Sequence, residues 1–209
     1  MKALKLITTG LFALFSGIAT AQEEGDNTND KAVSFGVKGG VNFATFVSGD
    51  DDFDSPDSRT SFHVGVLAEM PITDMFSVQA EALYSGQGFD LDFEGPDNDN
   101  AEVQLDYINV PVLAKFYLTK GLSIEAGPQF SFLVNEEFDF NPNSDDGDID
   151  LEDTPFEAEE FEFGMAAGLT FQTDMGLFAS GRYTRGFTDI YNDANIQNSV
   201  FQISVGYKF

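Results

Sequence analysis

From Phe201 to Phe209 every second residue is apolar (Phe201, Ile203, Val205, Tyr207, Phe209), and those between are polar or small (Gln202, Ser204, Gly206, Lys208). A period of two is the mark of a strand with one apolar and one polar face. A bare apolar edge strand in water invites aggregation. A closed barrel in a membrane has no bare edge, and lipid covers its apolar face.

The same alternation recurs upstream. Val33, Phe35, Val37, Gly39, Val41 and Phe43 share one face of a first strand. Phe62–Met70 forms a second and Phe76–Ser85 a third. A fourth begins with Val103, Leu105 and Tyr107 and changes phase to Ile108, Val110, Val112, Ala114, Phe116 and Leu118, which predicts a β-bulge near Tyr107, with Pro111 just beyond it. Leu122–Phe132, Glu160–Phe171 and Leu177–Thr184 complete a set of eight with the terminal strand.

Connections alternate in length. Residues 47–60, 90–101, 135–157 and 190–198 are long; residues 71–74, 119–121 and 174–176 are short. An even strand count brings both termini to one side, and long loops opposite short turns is the layout of an up-and-down transmembrane barrel. Phe35, Phe76, Phe116, Phe171 and Phe209 at one rim, with Phe62, Tyr84, Tyr107, Phe161 and Tyr183 at the other, predict two aromatic girdles. A soluble eight-stranded barrel with an apolar ligand cavity would use the same alternation with its faces reversed. The export signal, the terminal aromatic strand and the loop pattern favour the membrane form.

The chain opens with Lys2 and Lys5, an apolar stretch from Leu6 to Ile18, and Ala19-Thr20-Ala21. This reads as a signal peptide over residues 1–21, followed by a periplasmic tail at 22–32 and a barrel domain at 33–209. Removing the signal leaves 209 − 21 = 188 residues and moves the net charge from −26 to −28. There is no cysteine, so neither disulfides nor thiol chemistry enter.

Four segments resemble the Bacteroidetes-type outer-membrane β-barrel family, PorT-like and often labelled a porin family. They are Ser34-Phe35-Gly36-Val37-Lys38-Gly39-Gly40-Val41-Asn42, Tyr107–Lys115 (YINVPVLAK), Ile124–Gln129 (IEAGPQ), and Gly181-Arg182-Tyr183 followed by Gly186–Ile190 (GFTDI). Asn109 departs from the acidic residue common at its position. The resemblance implies an eight-stranded outer-membrane barrel and names no reaction.

If lipid takes the apolar face, the lumen receives Lys38, His63, Glu69, Gln79, Glu81, Asn109, Lys115, Glu125, Gln129, Glu160, Glu162, Arg182 and Lys208. Eight strands leave an interior just wide enough for side chains. Charges enclosed there must pair, so Lys38, Glu69, Glu81, Lys115, Glu125, Glu162, Arg182 and Lys208 are expected to form an ion-pair plug. The alternative is a narrow diffusion pore leaning toward cations, since the thirteen include four cations and five carboxylates. A lipid hydrolase needs a nucleophile and a base. His63, with Ser61 two residues away, offers no persuasive set, so no catalytic residue and no enzyme is expected.

The acidic residues cluster in the long connections: residues 136–157 hold ten carboxylates and no cation. Such runs are solvated and self-repelling. Asn141, Asn143, Asp145 and Glu152 have the spacing of positions 1, 3, 5 and 12 of a calcium loop, but Asp146 stands where glycine is required. Asn143, Asp145, Asp148 and Glu152 are therefore only weak calcium or magnesium candidates, and no other cofactor is expected. The negative field argues against nucleic acid. Expected partners are outer-membrane lipid and lipopolysaccharide, and the barrel assembly machinery through the Phe209 strand. The expected role is structural or in surface interaction through the acidic loops; a diffusion porin or an accessory part of a secretion or uptake assembly are the alternatives.

Overall fold

The computed structural model describes residues 32–48, 58–92, 100–139, 148–150, 159–188 and 196–209. The expected signal peptide and nearly all of the tail lie outside these residues. The strands are β1 Ser34–Ser48, β2 Arg59–Pro71, β3 Phe76–Asp92, β4 Asn100–Tyr117, β5 Leu122–Asp139, β6 Asp148–Asp150, β7 Phe161–Gln172, β8 Leu177–Gly186 and β9 Ile196–Lys208. All pairings are antiparallel. Eight long strands close into a barrel, since β1 pairs with both β2 and β9 and β4 pairs with β5. The short β6 adds only to the loop-end tip of β5. Turns after β2, β4 and β7 are tight; in the last, Gly176 sits at φ 89°, a left-handed conformation that favours glycine.

Register sets the barrel's dimensions. Stepping across paired residues from Phe171 through Ala179, Val205, Gly39, Val64, Tyr84, Ile108 and Phe132 returns to β7 at Phe161. The stagger is 171 − 161 = 10 residues. With strands about 4.8 Å apart and rising about 3.4 Å per residue, this corresponds to a tilt of about 41° and a wall about 8 Å from the axis. Opposite walls are then within joint reach of one long cation and one carboxylate.

The outer face is apolar and open. Phe62, Leu169, Phe171, Ile203 and Val205 are each about half exposed or more. By the same geometry the apolar belt runs from Phe76, Leu122 and Phe209 to Phe132 and Phe161, about 25 Å, the height a transmembrane barrel presents to lipid. The faces are thus those of the membrane form rather than the soluble cavity form.

Three expectations need correction. β4 has no phase switch: Leu105, Tyr107, Asn109, Leu113 and Lys115 are all buried on one continuous inner face. The bulge expected near Tyr107 does fall at that step, but its extra residue is on β5: Asp106 pairs with Asn135 and Tyr107 with Leu133, leaving Val134 over. Tyr107 is consequently 1 % exposed inside the barrel and belongs to no girdle. Glu160 precedes β7 and is exposed, so it is not in the lumen. The prolines act as expected of residues without a donor: β3–β4 pairing lapses between Ala80↔Val112 and Leu83↔Asn109, around Pro111. β4–β5 pairing lapses between Pro111↔Gln129 and Ala114↔Ala126, around Pro128.

Candidate functional site: the charged lumen

On the turn-end half of the barrel the inward positions are mostly polar, charged or small, with Leu67, Leu113 and Phe178 as apolar exceptions, and glycines face the longest side chains. Gly168 lies across from both Glu125 on β5 and Arg182 on β8. A Cβ there would stand 3.1 Å from Arg182 Cα and 3.2 Å from its Cβ. Gly206 faces Phe178, whose ring an added Cβ would overlap.

Arg182 is the hub. It projects from β8, and β3 is the strand diametrically opposite in the ring. Its Nη1 donates to Glu81 Oε2 at 2.7 Å and its Nη2 to Glu81 Oε1 at 2.7 Å, a parallel two-bond clasp across the whole lumen. Nη2 and Nε also donate to Glu125 Oε1, at 2.6 and 3.0 Å. Lys38 lies 3.3 Å from Glu81 Oε2, and Lys115 lies 3.6 Å from Glu125 Oε2. Gln79 donates to Glu81, and Thr170 donates to Glu125 Oε2 at 3.0 Å.

A second centre sits nearer the turns. Glu69 accepts from Lys208 and from the Tyr117 hydroxyl, from Ser77 Oγ at 2.6 Å, and pairs with Lys115 at 3.5 Å. Lys115 therefore bridges the two centres. Burying these ions is costly unless each is paired and hydrogen-bonded, and here each carboxylate has at least two cationic partners.

Seven of the eight charged residues expected in the lumen network are brought together. Glu162 is buried too, but at the loop end: Asn198 Nδ2 donates to it, and it forms no ion pair among the described residues. The coupled network thus holds four cations (Lys38, Lys115, Arg182, Lys208) and three carboxylates (Glu69, Glu81, Glu125).

Above the ions lies a neutral hydrogen-bonded layer. His63 Nδ1 meets Asn42 Oδ1 at 2.7 Å and Nε2 meets Ser204 Oγ at 2.8 Å. Asn42 Nδ2 donates to Ser85 Oγ at 3.0 Å and to Gly86 O at 2.7 Å, and Gln202 donates to Asn42 Oδ1 at 3.0 Å. Ser61, the neighbour in sequence, turns away and donates to Gly86 O at 2.6 Å. Ser204, His63 and Asn42 have the connectivity of nucleophile, base and orienter. His63 and Ser204 are each 1 % exposed and Asn42 is fully buried, so the geometry serves packing and gives no surface for a substrate. Ser204 was invisible as a partner in the sequence, being far along the chain. Its only signal was an inward position in the last strand.

Leu83, Leu105 and Tyr107 form an apolar layer in the loop-end half. Of the weak cation candidates, Asn143, Asp145 and Glu152 lie outside the described residues, and Asp148 begins β6.

Residues 20–192 match the family described as outer membrane protein beta-barrel domain. The chain belongs to that family. No curated protein matches it in sequence. Among solved structures it is similar to Neisserial surface protein A (NspA), at 15 % identity and a TM-score of 0.56, covering 86 % of this chain and 100 % of that one. It is also similar to Ail of Yersinia pestis, at 13 % identity and a TM-score of 0.49, covering 84 % of this chain and 98 % of that one. At such identities the NspA likeness speaks for fold alone. Family and fold together place this outer-membrane barrel in the bacterial outer membrane.

Proposed function

We propose that this barrel is a closed, non-conducting anchor that holds long acidic loops at the cell surface for contact with a partner. One observation carries the reading: the Arg182–Glu81 clasp joins opposite walls, with Glu125 and Lys38 packed against it. An ion entering the lumen would have to break a desolvated, doubly bonded pair. The four-to-three excess of cations over carboxylates in the network also gives little support to a cation-leaning pore. We further propose that both termini face the periplasm, that the long loops are extracellular, and that the chain belongs to the PorT-like branch. The YINVPVLAK and IEAGPQ segments support that placement.

The test is single-channel recording of the refolded, heat-modifiable protein in planar bilayers, with and without calcium. Silence in both conditions is expected. Discrete cation-selective steps would replace this reading with that of a small diffusion pore.

A further inference from the structure

Among the described residues of the strands, Arg185 is the one cation on the barrel's outer face. Of the basic residues in the described strands, Lys38, Lys115, Arg182 and Lys208 point inward. Arg59, half-buried, donates to Gln87 O on the neighbouring strand β3. Arg185 is exposed and pairs in register with Met165 on β7 and Ser199 on β9, an outward row. It forms no ion pair among the described residues.

Its height is the informative part. At the tilt set by the register, each residue along a strand climbs about 2.5 Å toward the loops. Arg185 therefore stands about 5 Å below Phe187, inside the apolar belt and close to its loop-end margin. Phe187 is 53 % exposed, and its ring lies 6.3 Å from that of Phe163. Phe187 N donates to Phe163 O at 2.8 Å, and Thr188 Oγ1 accepts from Phe163 N at 3.1 Å, which fixes the aromatic pair above the guanidinium. Beside Arg185, the Tyr183 hydroxyl and Ser199 Oγ are 2.9 Å apart, a polar pair set into the same apolar wall. A bare cation at this depth is costly unless an anion meets it, and its own chain, with a net charge of −26, supplies no carboxylate there among the described residues.

We propose that Arg185, with the Tyr183 hydroxyl that the buried Ser199 holds in place, binds the phosphate of an anionic lipid in the loop-end leaflet. The lipid's acyl chains lie along Phe163, Met165 and Phe187. Charge complementarity selects the phosphate, because a guanidinium matches two phosphate oxygens at once. The belt's apolar wall selects a lipid over a free anion.

The test is native mass spectrometry of the protein in phosphatidylcholine nanodiscs doped with diphosphorylated lipid A or with the same molecule stripped of phosphate. The wild type should retain one phosphorylated lipid and discriminate against the stripped one. Arg185→Gln should weaken retention at least about tenfold, the scale of losing hydrogen bonds to a charged group. Arg185→Lys should keep part of it, and Lys120→Gln in the opposite turn should keep all of it. Folding of each variant is checked by heat-modifiable gel mobility, and inorganic phosphate should not compete. Equal retention of the stripped lipid, equal retention by Arg185→Gln, or displacement by inorganic phosphate would each overturn the assignment.

Discussion

Replacing Arg182 with Met leaves the clasp's shape roughly filled and removes its charge. Glu81 then loses two bonds of 2.7 Å but keeps Lys38 at 3.3 Å, and Glu125 loses its shortest partner but keeps Lys115 at 3.6 Å. Breaking a buried pair from one side costs about 3–5 kcal/mol. Because each orphaned carboxylate retains one cation, the lower end applies, about 3 kcal/mol. That is a large part of an ordinary stability of about 5–15 kcal/mol. Removing Glu81 instead takes away the carboxylate that Lys38 pairs with, leaves Arg182 with Glu125 alone, and leaves four cations with two carboxylates, so Glu81→Leu should cost more. Making both changes removes the clasp as a neutral unit and should cost less than the sum of the two. The assay is urea unfolding in phosphatidylcholine vesicles, followed by heat-modifiable mobility and far-UV circular dichroism, since the chain has no tryptophan to report by fluorescence. A single Arg182→Met variant within about 0.5 kcal/mol of wild type, or a double variant equal to the sum, would refute the reasoning.

Other consequences are open to the same methods. Tyr107→Ala should destabilise by about 3 kcal/mol as a buried aromatic, whereas Phe62→Ala on the lipid face should cost far less; equal losses would argue against the inward placement of Tyr107. Gly206→Val drives a side chain into the Phe178 ring and should lower stability by about 1–3 kcal/mol in the same urea assay, while Gly181→Val, with open space beside it, should be nearly neutral. If the clasp closes the lumen, the Arg182→Ala, Glu81→Ala pair should conduct in planar bilayers where the wild type is silent.

Much of the fold was legible because a strand's two faces are a local property. Phe201 to Phe209 state in nine residues which side chains share a face, and the long and short connections state the order of neighbours. Seven of the charged residues read as inward do meet in one network. Where the reading slipped, polarity and direction had parted. Leu105 and Tyr107 are apolar, and polarity alone points them at lipid, yet β4 keeps its pleat and turns them inward. The extra residue that eases the mismatch is Val134 on the neighbouring strand, which no pattern within β4 could announce. Glu160 failed for a simpler reason, since the strand begins one residue later.

What the sequence determined by itself was alternation, strand number and, outside the loop-end half of β4, the sign of each face, because these follow from side-chain chemistry at a period of two. Tertiary structure alone decided the ten-residue stagger, and with it the radius, the height at which Arg185 meets the membrane, and the partner across the lumen for each ion. Arg182 and Glu81 are 101 residues apart and on opposite walls. Only closure of the ring brings them together, because the interior is narrow enough for two side chains to span it and too dry to leave either unpaired.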